Sequence, residues 1–318
     1  MSLKKILFKN TLFNLFGYFY LLLVSFFSIS IFLQNLGREL FGIYLFLASF
    51  VPMASIFDFG VSLATIRELS LPQNSHQEKT KVWQTALSIF ISQGFILLVV
   101  FAGLLTYLFS TMPLLGGLNP SHILPITILI SLTILINHIN NIFLSVPQAY
   151  QRFDIFNSKT FLVGTANTIL SALLTFYTHN LSYLFLLQFI FHLITFIFIL
   201  FYTKSIFGWG DLLPKYQRSL AKSLTSYGLK NFVGTLSNQI EAQASKFFLG
   251  FLSTAQSITA FSIPQNIIMK GAGIVSQFAQ AFFPLSASLL EKDRILKLKK
   301  LYFGLQYLIF SGGILAVI

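Results

Sequence analysis

The chain contains no cysteine. That excludes disulfides, thiol catalysis and cysteine-ligated zinc or iron–sulfur sites. Charge is nearly as scarce: Asp, Glu, Lys and Arg make up 9% of the 318 residues, against about 25% in soluble domains. Five histidines, His76, His122, His138, His179 and His192, are scattered without a metal-ligand spacing such as His-Glu-x-x-His, so no metal site is expected. There is no Gly-x-Gly-x-x-Gly run, no P-loop and no long soluble insertion, and a nucleotide-driven pump would need a nucleotide domain on a separate chain. No catalytic constellation and no resident cofactor are expected.

Apolar residues fill the space that charge leaves. They make up 55% of the chain, 38 of them Phe, and the mean hydropathy is +0.77. A water-soluble fold of this length cannot bury that much apolar surface and still cover itself with polar groups. The composition is that of an all-α polytopic membrane protein. A helix needs about 20 apolar residues to cross the bilayer core. Eight segments qualify: Leu12–Leu33, Ile43–Ala64, Trp83–Phe109, Ile123–Ser145, Ser158–Tyr177, Ser182–Tyr202, Tyr227–Leu249 and Thr259–Phe283. A ninth begins at Leu301 and is cut off at Ile318, so the chain is expected to be a fragment of a longer protein. Period-two alternation is absent, which speaks against a β-barrel. The first apolar stretch is too long for a signal peptide and lacks a small-x-small cleavage site, so it is expected to be a retained helix.

The +12 net charge would suggest nucleic acid in a soluble protein. Its distribution suggests otherwise. With the N-terminus inside, 18 of the 21 Lys and Arg residues fall on cytoplasmic segments. These are Lys4, Lys5 and Lys9; Arg67, Lys79 and Lys81; Arg152 and Lys159; Lys204, Lys215, Arg218, Lys222 and Lys230; and Lys292, Arg294, Lys297, Lys299 and Lys300. Only Arg38 falls outside, and Lys246 and Lys270 lie within spans. Basic loops of this kind face anionic lipid headgroups. The longest hydrophilic connection, Lys204–Ser226, divides the chain into a six-helix bundle at 1–203, a cytoplasmic linker at 204–226 and an incomplete second bundle at 227–318.

Several spans carry polar stripes. On the seventh, Asn231, Thr235, Asn238, Ala242 and Ser245 lie within about 40° of one line, with Gln239, Gln243 and Lys246 on one flank and Glu241 on the other. The eighth groups Ser262, Gln265, Asn266, Lys270, Gly273, Ser276, Gln277 and Gln280. Both stripes point to a water-filled cavity. Weaker stripes elsewhere, including Asn137, His138, Asn140 and Asn141 in the fourth span and Gln188, His192 and Thr195 in the sixth, also suit interhelical hydrogen bonding. Ionisable residues at membrane depth are functional candidates because desolvating them is costly. Lys246 and Lys270 are the cations, with Asp58 and Glu241 as anions that could compensate them; Asp58 could equally contact a helix end. Pro52, Pro125 and Pro264 fall inside spans and mark kinks.

Four local patterns carry a family resemblance. They are Leu36-Gly37-Arg38-Glu39-Leu40-Phe41-Gly42-Ile43-Tyr44; Asp58-Phe59-Gly60-Val61-Ser62-Leu63-Ala64-Thr65-Ile66-Arg67-Glu68; Gln148-Ala149-Tyr150-Gln151-Arg152-Phe153; and Phe283-Pro284-Leu285-Ser286-Ala287-Ser288. In order and spacing the set resembles the polysaccharide-transport, Wzx-type flippases of the multidrug/oligosaccharidyl-lipid/polysaccharide (MOP) exporter superfamily. The resemblance implies MATE-like helical bundles around a central cavity, working by alternating access in a bacterial cytoplasmic membrane. It implies an undecaprenyl-pyrophosphate-linked oligosaccharide as substrate, a proton or sodium gradient as drive, and polysaccharide-assembly proteins as partners. In that setting Lys246, Lys270, Asn238, Gln243, Asn266 and Gln277 are the expected substrate contacts, with Asp58 and Glu241 as ion-coupling candidates. Relatives usually have 12 or more spans, and the chain has eight and part of a ninth. A lipid II flippase and a MATE-type drug/cation antiporter are the alternatives; a membrane glycan polymerase or ligase would carry larger and more charged external loops.

Overall fold

The computed structural model describes residues 3–269 together with Phe303 and Gln306, with side chains from Tyr20 onward except Asn231 and Thr235. All the regular structure among these residues is helical. They fall into two compact units. One comprises residues 3–27 with those from Phe261 onward; the other is Ser28–Ala260 and holds the whole Lys204–Ser226 segment. In the first unit residues 3–27 and 261–269 are helical.

Helix α1 (Leu3–Ala48) doubles back at Gly37, whose φ of 69° and ψ of 177° are open to glycine alone at little cost. In a straight helix Phe32 and Tyr44 would lie about 18 Å apart. Here their ring centroids are 5.4 Å apart, and Phe32 stacks on Phe41 at 4.8 Å.

The second expected span is broken rather than continuous. A short helix α2 (Phe50–Met53) contains Pro52 and passes into a 3-10 turn at Ala54–Asp58. Phe59 and Gly60 then adopt left-handed conformations, and helix α3 (Val61–Ser70) begins. Asp58 Oδ1 accepts the Ser62 backbone N–H at 2.9 Å, which satisfies one of the open donors at the start of α3.

The remaining helices start where the sequence supplies caps. Helix α4 (His76–Thr111) opens with a reciprocal Ser75–Glu78 capping box. Helix α5 (Pro120–Ala149) has Asn119 accepting the Ser121 N–H and Pro at its first position. Helices α6 (Phe153–Thr165) and α7 (Ser171–Leu174) are joined by a π-helical turn at Ala166–Leu170. Asn180 caps α8 (Leu181–Phe207), which ends at Gly208. Helix α9 (Arg218–Leu252) begins inside the expected linker, and residues 255–269 are helical again.

Four helical stretches among the described residues are long and apolar enough to cross a membrane: Tyr20–Asp58, His76–Thr111, Pro120–Ala149 and Leu181–Phe207. The first takes in parts of the first two expected spans. Among the described residues these stretches fall on the first, second, third, fourth and sixth expected spans, and the eighth, Thr259–Phe283, runs beyond the described residues. The segment at 153–174 is interrupted by its π turn, and α9 is too polar.

Helix α5 packs against α4 and α8, and α3 against α5 and α9. Trp83 is fully buried in this core, edge-on to Phe143 at 4.9 Å and stacked on Phe207 at 5.7 Å. Phe95, Ile96, Val99 and Tyr107 of α4 and Ile194, Phe198 and Phe201 of α8 are exposed, an apolar outer surface suited to lipid.

Candidate functional site

Helix α9 is turned inside out relative to a helix of a soluble protein. Val233 and Phe248 are each 67% exposed, whereas Gln243 and Lys246 are 8% and 9% exposed. Lys246 Nζ donates to Gln243 Oε1 at 3.3 Å, one turn back along the helix. Among the described residues Lys246 meets no carboxylate. Glu241 is exposed, and Asp58 is engaged at the start of α3. Of the sequence candidates, the structure therefore brings together Lys246 and Gln243, while Asn238 is exposed on another face of α9. Asn266 is half-buried within the helix at 255–269. Lys270 and Gln277 lie outside the described residues, as do the Phe283–Ser288 pattern and the basic run from Lys292.

The apolar residues beside Lys246 anchor α9 to the chain around the second expected span. Phe247 lies 5.8 Å from Phe46 and 4.9 Å from Phe50 between ring centroids, and Phe232 lies 5.3 Å from Phe59. At one end Gly60 and Gly228 touch backbone to backbone. A Cβ on Gly60 would stand 2.3 Å from the Gly228 carbonyl oxygen. At the other end Gly42 meets the Ala255 carbonyl, and Thr259 Oγ1 donates to the Arg38 carbonyl at 2.6 Å.

A second polar cluster lies among α5, α6, α8 and the returning limb of α1. Gln188 Nε2 donates to Tyr44 Oη at 2.7 Å. Asn140 Nδ2 donates to the His192 carbonyl at 3.0 Å, and His192 Nδ1 meets the Gln188 carbonyl at 2.9 Å. Lys159 Nζ donates to Asn141 Oδ1 at 2.9 Å. The polar residues of the fourth and sixth spans were legible as a stripe, but Lys159 was not. The sequence expectation placed it in a cytoplasmic loop. The connection between α5 and α6 is only Tyr150–Arg152, so Lys159 falls in the second turn of α6 and faces α5. Its spacing from Phe153 and Phe156 on one helix was the available signal.

A family profile described as "Polysaccharide biosynthesis protein" matches residues 7–290. The chain belongs to this family. A Shigella flexneri protein named for O-antigen transport is 25% identical over 280 residues, covering 87% of the chain; the chain spans 65% of that relative's length. Among solved structures, a MOP superfamily transporter from Pyrococcus furiosus, described for the reverse polarity of its binding pocket, superposes with a TM-score of 0.64. The match is 14% identical and covers 99% of the chain and 71% of the Pyrococcus protein. The MATE multidrug transporter DinF-BH gives a TM-score of 0.58 at 18% identity, covering 88% of the chain and 64% of that protein. At these identities the two structures establish a MOP-type helical fold; the family match places the chain among polysaccharide biosynthesis proteins, and its four long apolar stretches are those of a membrane protein.

Proposed function

We propose that the chain is part of a flippase that carries undecaprenyl-pyrophosphate-linked oligosaccharide across the bacterial cytoplasmic membrane by ion-coupled alternating access, and that it transports rather than catalyses. The observation that carries the reading is Lys246. It is a buried cation on a polar helix face, its bonded partner is the neutral Gln243, and no carboxylate offsets it among the described residues. An uncompensated ammonium at such depth costs several kcal/mol. A diphosphate would supply the missing charge, and Asn and Gln side chains suit a sugar chain. Lys270 joins Lys246 in this role, with Asn238, Gln243, Asn266 and Gln277 toward the glycan. The two-bundle organisation at 1–203 and 227–318, joined by 204–226, and the inside N-terminus belong to the same proposal. The lysine disfavours the antiporter alternative, since a drug cation would meet like charge.

The test compares undecaprenyl pyrophosphate with undecaprenol as ligands of the purified chain in detergent. Pyrophosphate-dependent binding should weaken about tenfold or more in Lys246→Gln and survive better in Lys246→Arg, which can still clamp phosphate. Equal binding of the two lipids, or no loss in Lys246→Gln, would overturn the assignment.

A further inference from the structure

The segment between α8 and α9 reads in sequence as a hydrophilic linker, yet three of its large apolar side chains are uncovered. Trp209 is 56% exposed, and Leu213 and Tyr216 are each 63% exposed. In a solvated connector all three would hold apolar area in water, which is unfavourable. The backbone does not let them turn inward. Helix α8 ends at Gly208, whose φ is 79°, and a 3-10 turn follows at Gly210–Leu212. Hydrogen bonds pin this turn to α4. Gln84 Nε2 donates to the Asp211 carbonyl at 3.3 Å, the Lys215 N–H donates to the Gln84 carbonyl at 3.3 Å, and Thr85 Oγ1 donates to the Lys215 carbonyl at 3.4 Å. Leu212 takes the inward place, in the same core as Trp83 and Phe207, and Leu213 is left outside.

Continuity with the outer surface says what covers these side chains. Ile190, Ile194, Ile197 and Phe201 recur at helical spacing on α8 and are all exposed. Lys204 is the next position of that row. Its Nζ lies 4.4 Å from the centre of the Trp209 ring and 6.0 Å from that of Phe201. The row suited to lipid therefore passes through Lys204 onto Trp209. A lysine so placed lays its stem along apolar surface and keeps its ammonium at the headgroups. Tryptophan and tyrosine favour the same depth, where one part of the ring is apolar and the other meets water.

Charge says which lipid. From residue 204 to 226 the chain carries Lys204, Lys215, Arg218 and Lys222 against a single acid, Asp211. Lys215, Arg218 and Lys222 are exposed. Elsewhere at this end of the helices the arginines are already matched, Arg67 by Glu68 at 2.8 Å and Arg152 by Asp154 at 2.9 Å. The excess of positive charge thus lies beside the uncovered aromatic residues, and anionic headgroups complement it.

We propose that the segment from Gly208 to Arg218 is an anchor on the membrane surface. Trp209, Leu213 and Tyr216 enter the interface of the leaflet at this end of α8, and Lys204, Lys215 and Arg218 gather anionic phospholipid around them. Because α9 begins at Arg218, the anchor holds the start of that helix at the surface. This contact needs only the bilayer and no transported glycan, so it can fail while the flippase reading stands.

The experiment is tryptophan quenching of the full chain in nanodiscs of equal parts phosphatidylglycerol and phosphatidylcholine. The chain has two tryptophans, and the other, Trp83, is fully buried. Trp83→Phe leaves Trp209 as the only reporter. If that variant does not fold, the Trp209 signal is the difference between the native chain and Trp209→Phe. Bromine is carried on the acyl chains of one lipid or of the other. Trp209 should be quenched by brominated lipid, little by aqueous acrylamide, and more by brominated phosphatidylglycerol than by brominated phosphatidylcholine. In Lys204→Gln/Lys215→Gln that ratio, taken within each variant, should fall about twofold or more, well inside what two basic residues contribute at a charged surface. No quenching by either lipid would overturn the anchor, whether acrylamide then reaches Trp209 or a protein surface covers it. Equal quenching by the two lipids, unchanged in the double variant, would overturn the selection of anionic lipid.

Discussion

The contact between Gly60 and Gly228 allows a prediction whose size comes from the backbone. Gly60 has φ of +74°, and a Cβ there would lie 2.3 Å from the Gly228 carbonyl oxygen and 2.8 Å from its Cα. These are backbone atoms and cannot rotate away. Forcing an L-residue into the left-handed region costs about 1–2 kcal/mol, and overpacking adds about 1–3 kcal/mol. Gly60→Ala should therefore destabilise by about 2–5 kcal/mol. Gly228→Ala meets the same clash from the other side, 2.5 Å from the Phe59 carbonyl oxygen. It lies within α9 and carries no left-handed strain, and replacing glycine in a helix returns up to about 1 kcal/mol. Its cost should be about 0–3 kcal/mol, smaller than that of Gly60→Ala, and the double variant should cost less than the sum because one contact is lost twice. Gly103, with nothing within 4 Å of a built Cβ, is the control: Gly103→Ala should be neutral or slightly stabilising. Unfolding in mixed micelles, followed through buried Trp83, gives the comparison. Gly60→Ala within about 0.5 kcal/mol of wild type, or Gly228→Ala the worse of the two, would refute the reasoning.

The orientation and the α4 cap make further expectations. The chain has no cysteine, so single cysteines at exposed Gln77 and Ser219 report topology without background. Both should be shielded from impermeant thiol reagents in intact cells and labelled after lysis, and ready labelling of both from outside would reverse the orientation. At the start of α4 the Ser75 N–H and hydroxyl both donate to Glu78, holding its carboxyl below the ordinary carboxylate range. The ionised form thus stabilises the helix above that ordinary range, and the contribution disappears as pH falls through the lowered value. Glu78→Gln should be less stable than wild type at pH 7 and converge with it in acid. A stability difference that persisted unchanged into acid would show that the carboxylate charge is not what the cap uses.

Much of the helical order could be read from the sequence because the signals are local. Asn119-Pro120, Asn180 and the Ser75–Glu78 pair mark helix starts through side chains two or three residues away. Gly37 marks a reversal that only glycine makes cheaply. The break in the second span was half visible. Pro52 announced it, but the left-handed Phe59 and Gly60 depend on contact with Gly228, which is far away in sequence. Asp58 shows the same limit. Its sequence allowed either a charge inside a span or a helix-end contact, and the break gives the second, with its carboxylate accepting the Ser62 N–H.

The candidate sites divide along the same line. Lys246 was found because its polar neighbours recur at helical spacing on its own segment, and helix period is a property of one stretch of chain. Helix period alone sets Glu241 on the other flank of the same helix, whereas Asp58 lies on a separate element, and only the fold shows that it is engaged with the Ser62 N–H instead. Lys159 was missed for a complementary reason. Positive charge near a span end reads as a loop anchor, and that rule holds when the loop is long enough to carry the residue into the headgroups. Here three residues connect α5 to α6. The lysine is drawn one turn into the helix, against Asn141, where the stripe of asparagines on α5 becomes its partner surface. Counting Lys159 with the loops strengthened the apparent charge asymmetry by one residue and concealed a basic group inside the bundle. Seventeen cytoplasmic lysines and arginines still outweigh Arg38, so the orientation argument survives the reassignment. What changes is the chemistry available within the helices: a half-buried lysine, bonded to Asn141, on an element that the α9 stripe does not include.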